Sequence, residues 1–280
     1  MTTSGRTDEA MTGATSSRRV GRRVPVGLMV PAGIGLAFLV LPLVGLLVRT
    51  PWTTLAERLT APGVLNALRL SLQTASIATA VCVLVGVPMA WLLARVDFPG
   101  RRLVRALVTV PLVLPPVVGG VALLLVFGRR GLVGSWMLST FGFSLPFTTA
   151  GVVVAEAFVA MPFLVLAVEG ALRGADTRYE EAAATLGASR WTTFRRVTLP
   201  LVAPGIAAGA VLCWARALGE FGATITFAGN NPDLTQTMPL KVYLALETAE
   251  IQSAIVLSLV LLLVSVTILV ALRDRWLTTP

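Results

Sequence analysis

The sequence predicts an all-α, polytopic membrane protein with six spanning helices. Three observations carry that expectation. Of the 280 residues, 55% are hydrophobic and only 13% charged, whereas a soluble domain carries about 25% charged residues. The apolar residues fall into six runs, each near the roughly 20 residues that a spanning helix needs. Arginines gather in alternate connections between those runs, the asymmetry that orients membrane proteins. The net charge of +9 therefore reads as membrane orientation and not as a nucleic-acid footprint.

Residues 1–23 are rich in Thr, Ser and Gly and read as a disordered cytoplasmic tail. The first run, Val26–Val48, follows Arg18, Arg19, Arg22 and Arg23. It is too long for a signal-peptide core, and no small-residue cleavage site follows it. The second run is Leu68–Leu93. The third, Ala106–Phe127, contains PLVLPPVVGG, in which Pro111, Pro115, Pro116, Gly119 and Gly120 must interrupt the helix ladder. Freed backbone groups at membrane depth have to be buried in protein or line a wet cavity. The fourth run is Thr149–Leu172 and the fifth Leu201–Phe221. In the fifth, Gly205, Gly209, Leu212, Arg216 and Glu220 recur at helical spacing. That stripe suits either close helix packing or a pathway, and the intramembrane arginine favours the pathway. The sixth run is Ile251–Leu272, and residues 273–280 form a cytoplasmic tail. The membrane domain thus spans 24–272.

Orientation follows from counting. Arg6, Arg18, Arg19, Arg22, Arg23, Arg95, Arg101, Arg102, Arg105, Arg173, Arg178, Arg190, Arg195, Arg196, Arg273 and Arg275 fall on one side, sixteen in all. Only six fall on the other: Arg49, Arg58, Arg69, Arg129, Arg130 and Lys241. The positive-inside rule then predicts that both termini are cytoplasmic, with the connection 173–200 on the same side.

Several chemistries are closed off. The chain has no histidine, which removes the commonest general base and metal ligand. Cys82 and Cys213 each stand alone inside apolar runs, so no CxxC metal motif or disulfide framework is available. Leu240 precedes the only lysine, Lys241, so no phosphate-binding GxxxxGK[ST] loop can be written.

The most informative stretch is YEEAAATLGASRWTTFRRVTLPLVAPG, residues 179–205. Thr177 to Glu180 reads as a capping box that opens a helix. Glu180 and Glu181 suit its first turn, where the dipole favours acids. Ala182, Ala183 and Ala184 extend it with little bulk. Gly187 ends or bends it, and Ser189 can cap a second short helix bearing Trp191, Phe194 and Arg195. An interfacial linker explains Trp191, Arg195 and Arg196, but gives no reason for the spacing of Glu181-Ala182-Ala183, Gly187, Val197 and Leu199-Pro200. At those positions the chain resembles the inner-membrane permease subunits of binding-protein-dependent ABC importers, whose signature lies on the cytoplasmic loop before the second-to-last span. The resemblance covers roughly residues 65–272, and Val197 stands where isoleucine is usual.

That resemblance implies a type I permease fold whose 173–200 loop couples to a separate ATPase. Glu180, Glu181, Ala182, Ala183, Gly187, Val197, Leu199 and Pro200 would form the docking surface, with Glu181 paired to a basic residue of the ATPase. It further implies that ATP and Mg bind the partner and that this chain binds no cofactor. The implied assembly has two permease copies, expected to be identical, two ATPase copies and an extracytoplasmic oxyanion-binding protein. GEFGATITFAGN and the following TQTMPL, residues 219–230 and 235–240, resemble molybdate permeases, with sulfate permeases as the runner-up. Arg216, Glu220, Thr224, Thr226, Asn230, Pro115 and Pro116 are the candidate pathway residues. Glu220, four residues on, can neutralise Arg216, which would leave a path that lets an oxyanion pass without holding it. A secondary transporter with Glu156, Arg216 and Glu220 as a proton relay is the rival from another class, but it leaves the cytoplasmic signature unexplained.

Overall fold

The structure is a computed structural model that describes residues 26–273. The expected tail 1–23 and residues 274–280 lie outside the described residues. In order the helices are α1 (Val26–Arg49), α2 (Leu55–Leu59, after a 3-10 turn at Trp52–Thr54), α3 (Val64–Arg95), α4 (Arg101–Val113), α5 (Pro116–Phe127), α6 (Gly134–Phe141), α7 (Thr149–Gly174), α8 (Arg178–Thr185), α9 (Arg190–Thr193), α10 (Leu199–Leu218), α11 (Gly222–Phe227), α12 (Met238–Glu247) and α13 (Ile251–Arg273). No strand occurs among the described residues. Among the described residues five helices are long and apolar enough to cross a membrane, or six if the bent pair α4–α5 counts as one span.

α1 is a compact unit of its own up to Val48, a 24-residue aliphatic helix with Pro31 and Pro42 inside it. The rest of the chain is built around α7. α3 and α10 pack along it, and the contact is made by small side chains. Ala75, Ala78, Cys82 and Ala90 of α3 meet Ala157, Ala160, Leu164 and Val168 of α7, all buried. A Cβ on Gly209 would stand 3.0 Å from Ala167 Cβ, and one on Gly205 would overlap Ala171 Cβ. The glycines of the fifth-span stripe therefore let α10 approach α7, since dispersion contacts at short range hold helices together where lipid offers no hydrophobic contrast. Leu212 from the same stripe is 49% exposed. The five positions expected to share one face do not share one environment.

Two expected spans are corrected. The third is not one helix: α4 and α5 meet at 119°. Pro115 supplies the extended link, with ψ 132°, and Pro116 opens α5, because the ring removes a donor and fixes φ for a helix start. The fifth span begins earlier than Leu201. The helix runs unbroken from Arg190 to Leu218 through a π-helical turn at Phe194–Thr198. Leu199 N donates to Phe194 O, five residues back. Pro200 has no N–H to continue the α ladder, and the wider turn accommodates that gap. Cys82 and Cys213 are both buried as free thiols, and Cys82 Sγ donates to Ala157 O at 3.5 Å.

Candidate functional site

At the α3 C-terminal end of the bundle, α8, a turn and α9 form the knob that the sequence led us to expect. The capping box itself is absent. Thr177 sits in the helical region and its side chain caps nothing. Asp176 Oδ1 instead accepts from Arg178 N at 2.9 Å. Glu180, freed from capping, points back into the bundle. Its Oε1 accepts from Arg95 Nη2 at 3.1 Å and from Thr198 Oγ1 at 3.1 Å. One carboxylate thus ties α8 both to the end of α3 and to the π-turn that leads into α10. Arg95 Nη2 also reaches Ala175 O at 3.5 Å.

Glu181 and Ala182 face outward and are exposed, while Ala183 is half-buried. Two adjacent acids therefore have opposite roles in the geometry, as neighbours on a helix point about 100° apart. Gly187 has φ +81°, the left-handed conformation that terminates helices at little cost only for glycine. Ser189 then caps α9, its Oγ accepting from Thr192 N at 3.2 Å. Phe194 packs edge-on to Trp91 of α3 at 5.9 Å and stacks with Trp191 at 5.8 Å. Val197 and Leu199 are half-buried beneath the knob and Pro200 is exposed beside them. Outward, Tyr179, Leu186 and Trp191 leave large apolar surfaces uncovered, a pattern that marks interaction surfaces. A cleft of about 570 Å³ between α3, α8 and α9 is lined by Trp91, Arg95, Glu180, Glu181 and Phe194.

Sequence reasoning assigned the arginines of this end to orientation alone, and missed their internal partners. Glu169 at the end of α7 is buried and pairs with Arg105 of α4 at 2.5 Å and with Arg173 at 2.7 Å. Arg105 also donates to Leu93 O at 3.2 Å, and Arg101 to Leu93 O at 2.9 Å. The cations therefore cap α3 as well, where the dipole favours positive charge. The signal was present in the sequence: Glu169 and Glu180 are acids within arginine-rich flanks.

The candidate pathway residues lie toward the other end of α10. Arg216 Nη2 and Glu220 Oε2 are 2.6 Å apart, and Glu220 is 1% exposed. Glu220 Oε1 also accepts from Ala223 N at 2.7 Å, so the pair braces the end of α10 against the start of α11. Gly222 lies against the proline break: a Cβ there would stand 2.8 Å from Pro116 Cβ. Thr224 is fully buried, and its hydroxyl has no hydrogen-bond partner among the described residues. Thr226 donates to Gly222 O at 2.8 Å, and Asn230 Oδ1 accepts from Gln236 Nε2 at 3.0 Å. Pro115 and Pro116 are exposed. Glu156 of α7 is buried and accepts from Thr74 Oγ1 at 2.9 Å.

Comparison with known proteins agrees with this architecture. Residues 83–279 match the family described as binding-protein-dependent transport system inner membrane component. The chain is 47% identical over 252 residues to the molybdenum transport system permease protein ModB of Mycobacterium tuberculosis, covering 90% of this chain and 95% of that one. It is 37% identical over 259 residues to the sulfate transport system permease protein CysT of Escherichia coli, covering 90% and 93%. A bacterial alginate ABC transporter, solved in complex with an alginate pentasaccharide-bound periplasmic protein, shares the fold with TM-score 0.72 at 18% identity, over 89% of this chain and 92% of that one. The outward acid-and-alanine helix, the left-handed glycine and the Leu-Pro entry to α10 thus sit in a chain that belongs to the inner membrane components of binding-protein-dependent transport systems.

Proposed function

We propose that the chain is the permease subunit of an ATP-driven importer that carries molybdate, and the near-isosteric tungstate, into the cytoplasm. The observation that carries the coupling half of this reading is the division of labour on α8: Glu180 is engaged inside the chain, while Glu181 and Ala182 are exposed and outward. A separate ATPase, holding ATP and Mg, docks on that surface, since the chain has no phosphate loop of its own. The arginine asymmetry supports a cytoplasmic side for this knob and both termini. Two identical permease copies, two ATPase copies and an extracytoplasmic oxyanion-binding protein complete the assembly.

The cargo rests on similarity. Identity to a molybdenum permease is 47%, against 37% to a sulfate permease over a similar share of this chain. Sulfate is the second reading. The test is uptake of labelled molybdate by proteoliposomes holding the permease with its ATPase and binding protein, compared with a Glu181→Lys variant. The parent is expected to import molybdate and to retain the ATPase on pull-down. Glu181→Lys should lose both, because truncating one partner of an interfacial charge pair already costs about 2–5 kcal/mol. Import of sulfate without molybdate would transfer the cargo to the second reading. An intact ATPase complex with Glu181→Lys would remove α8 from the docking surface.

A further inference from the structure

We infer that the arginine pocket between the start of α4 and the end of α7 is a binding site for an anionic phospholipid, which it holds by the headgroup phosphate. The inference goes beyond the import reading and holds whichever oxyanion is carried. The pocket is a cleft of about 530 Å³ whose lining includes Asp97, Arg101, Arg102, Arg105 and Arg173. Its charge is not balanced inside the chain. Arg105 and Arg173 share one buried acceptor, Oε1 of Glu169. Arg101 pairs with Asp97, but that carboxylate is 97% exposed, and such pairs are weak in water. Arg102 is exposed and has no side-chain hydrogen bond or ion pair among the described residues. Four guanidinium groups thus meet two carboxylates, and the surplus positive charge calls for an anion.

The spare donors suit phosphate. Arg105 spends Nε and Nη2 on Glu169 and on Leu93 O. Arg173 spends only Nη2 on Glu169, at 2.7 Å, and Arg102 spends nothing among the described residues. Open N–H groups from three guanidinium groups therefore line one cleft, and their planar forks match phosphate oxygens.

The rest of α4 makes the phosphate a lipid's. Leu103, Leu107 and Val110 are exposed and follow at i, i+4 and i+7, so they form one aliphatic strip. At about 100° per residue, Arg102 stands between that strip and the face that bears Arg101 and Arg105. The strip runs about 10 Å along the helix, most of the roughly 15 Å of hydrocarbon in one leaflet. A phospholipid with its headgroup among the arginines and its acyl chains on the strip uses both features, whereas a soluble phosphate uses only the first. Basic pockets between helices on the cytoplasmic side bind anionic headgroups for this reason. Glu169 lies on α7, which leads into α8, so the lipid would clamp α4 to the helix that carries the coupling loop.

The test holds the assembled transporter, permease with ATPase, in mild detergent with equal amounts of phosphatidylglycerol and phosphatidylcholine, and counts bound lipids by native mass spectrometry. The parent is expected to retain phosphatidylglycerol in preference, and excess inorganic phosphate should not displace it. At roughly fivefold per arginine, Arg102→Gln with Arg173→Gln should weaken that retention about 30-fold. Arg196→Gln removes an exposed charge outside the pocket and should leave retention unchanged. Arg102 has no internal partner to strand among the described residues. Arg102→Gln alone therefore carries the test if the double variant does not fold, with about a fivefold loss expected. Equal retention of the two lipids by the parent overturns the inference. So does a loss in Arg196→Gln as large as in the double variant, which would make the attraction a general one of the basic surface. Displacement by inorganic phosphate would assign the pocket to a soluble anion, and loss of the ATPase from Arg102→Gln with lipid retention intact would assign it to docking. Either result overturns the lipid site. Retention is read without transport, so failure of the import reading would be seen separately, as absent molybdate uptake by the parent.

Discussion

Glu180→Gln should separate docking of the ATPase from transmission of its movement. Glu180 and Arg95 are 3.1 Å apart, with side chains 21% and 14% exposed. At an effective dielectric of 20 their attraction is about 5 kcal/mol before desolvation. Breaking a fully buried pair costs about 3–5 kcal/mol, and an exposed pair is worth about 0–1 kcal/mol. One-fifth exposure places this tether between those limits, at about 2 kcal/mol. The loss falls on a site with little reserve: Arg95 Nε is already buried without a partner among the described residues, and Thr198 would lose a charged acceptor. About 2 kcal/mol shifts the equilibrium between attached and detached α8 by roughly 30-fold. The assay is threefold: ATPase pull-down, substrate-stimulated ATP hydrolysis and uptake in proteoliposomes. Glu180→Gln is expected to keep its ATPase, because Glu181 and the outward alanines are untouched, and to lose most stimulated hydrolysis and uptake. The double reversal Arg95→Glu with Glu180→Arg should recover part of both. Parental uptake by Glu180→Gln would refute the tether, and so would loss of the ATPase to the extent seen with Glu181→Lys.

Two glycines give further tests by different physics. At Gly187, φ is +81° and a Cβ would meet nothing within 4 Å, so Gly187→Val should act through backbone strain alone, costing about 1–2 kcal/mol or more for a β-branched residue. Gly187→Asn should be better tolerated, and ATPase pull-down efficiency ranks the two. At Gly205 the φ is ordinary and the space is missing: Gly205→Val drives a side chain into Ala171, an overpacking cost of about 1–3 kcal/mol. It should lower the thermal unfolding temperature of the detergent-solubilised protein, and adding Ala171→Gly should restore part of the loss.

Much of this protein was legible in one dimension. Long apolar runs become helices because no other open structure satisfies backbone polar groups in lipid. That is why α7 and α13 begin at Thr149 and Ile251 as expected. The left-handed turn at Gly187, the Ser189 cap and the Arg216–Glu220 pair were also readable, since each depends on residues within four positions of one another. Where the structure changed an expectation, a distant partner was the reason. Pro111, Pro115 and Pro116 announced a break in the third span. The 119° bend became visible only with Gly222 of α11 seated against Pro116. The stripe of Gly205 and Gly209 looked like a pathway until Ala171 and Ala167 of α7 were found filling the space beside it. Thr177 and Glu180 have the spacing of a capping box. Arg95 lies 85 residues from Glu180 and offers its carboxylate a full charge, a stronger partner than a neutral helix-end amide. The sequence alone determined which segments span the membrane and which loop carries the coupling signature, because both are local patterns of hydropathy and spacing. Only the tertiary structure decided which acid is spent inside the chain and which faces outward. Those outcomes depend on side chains from other helices competing for the same groups.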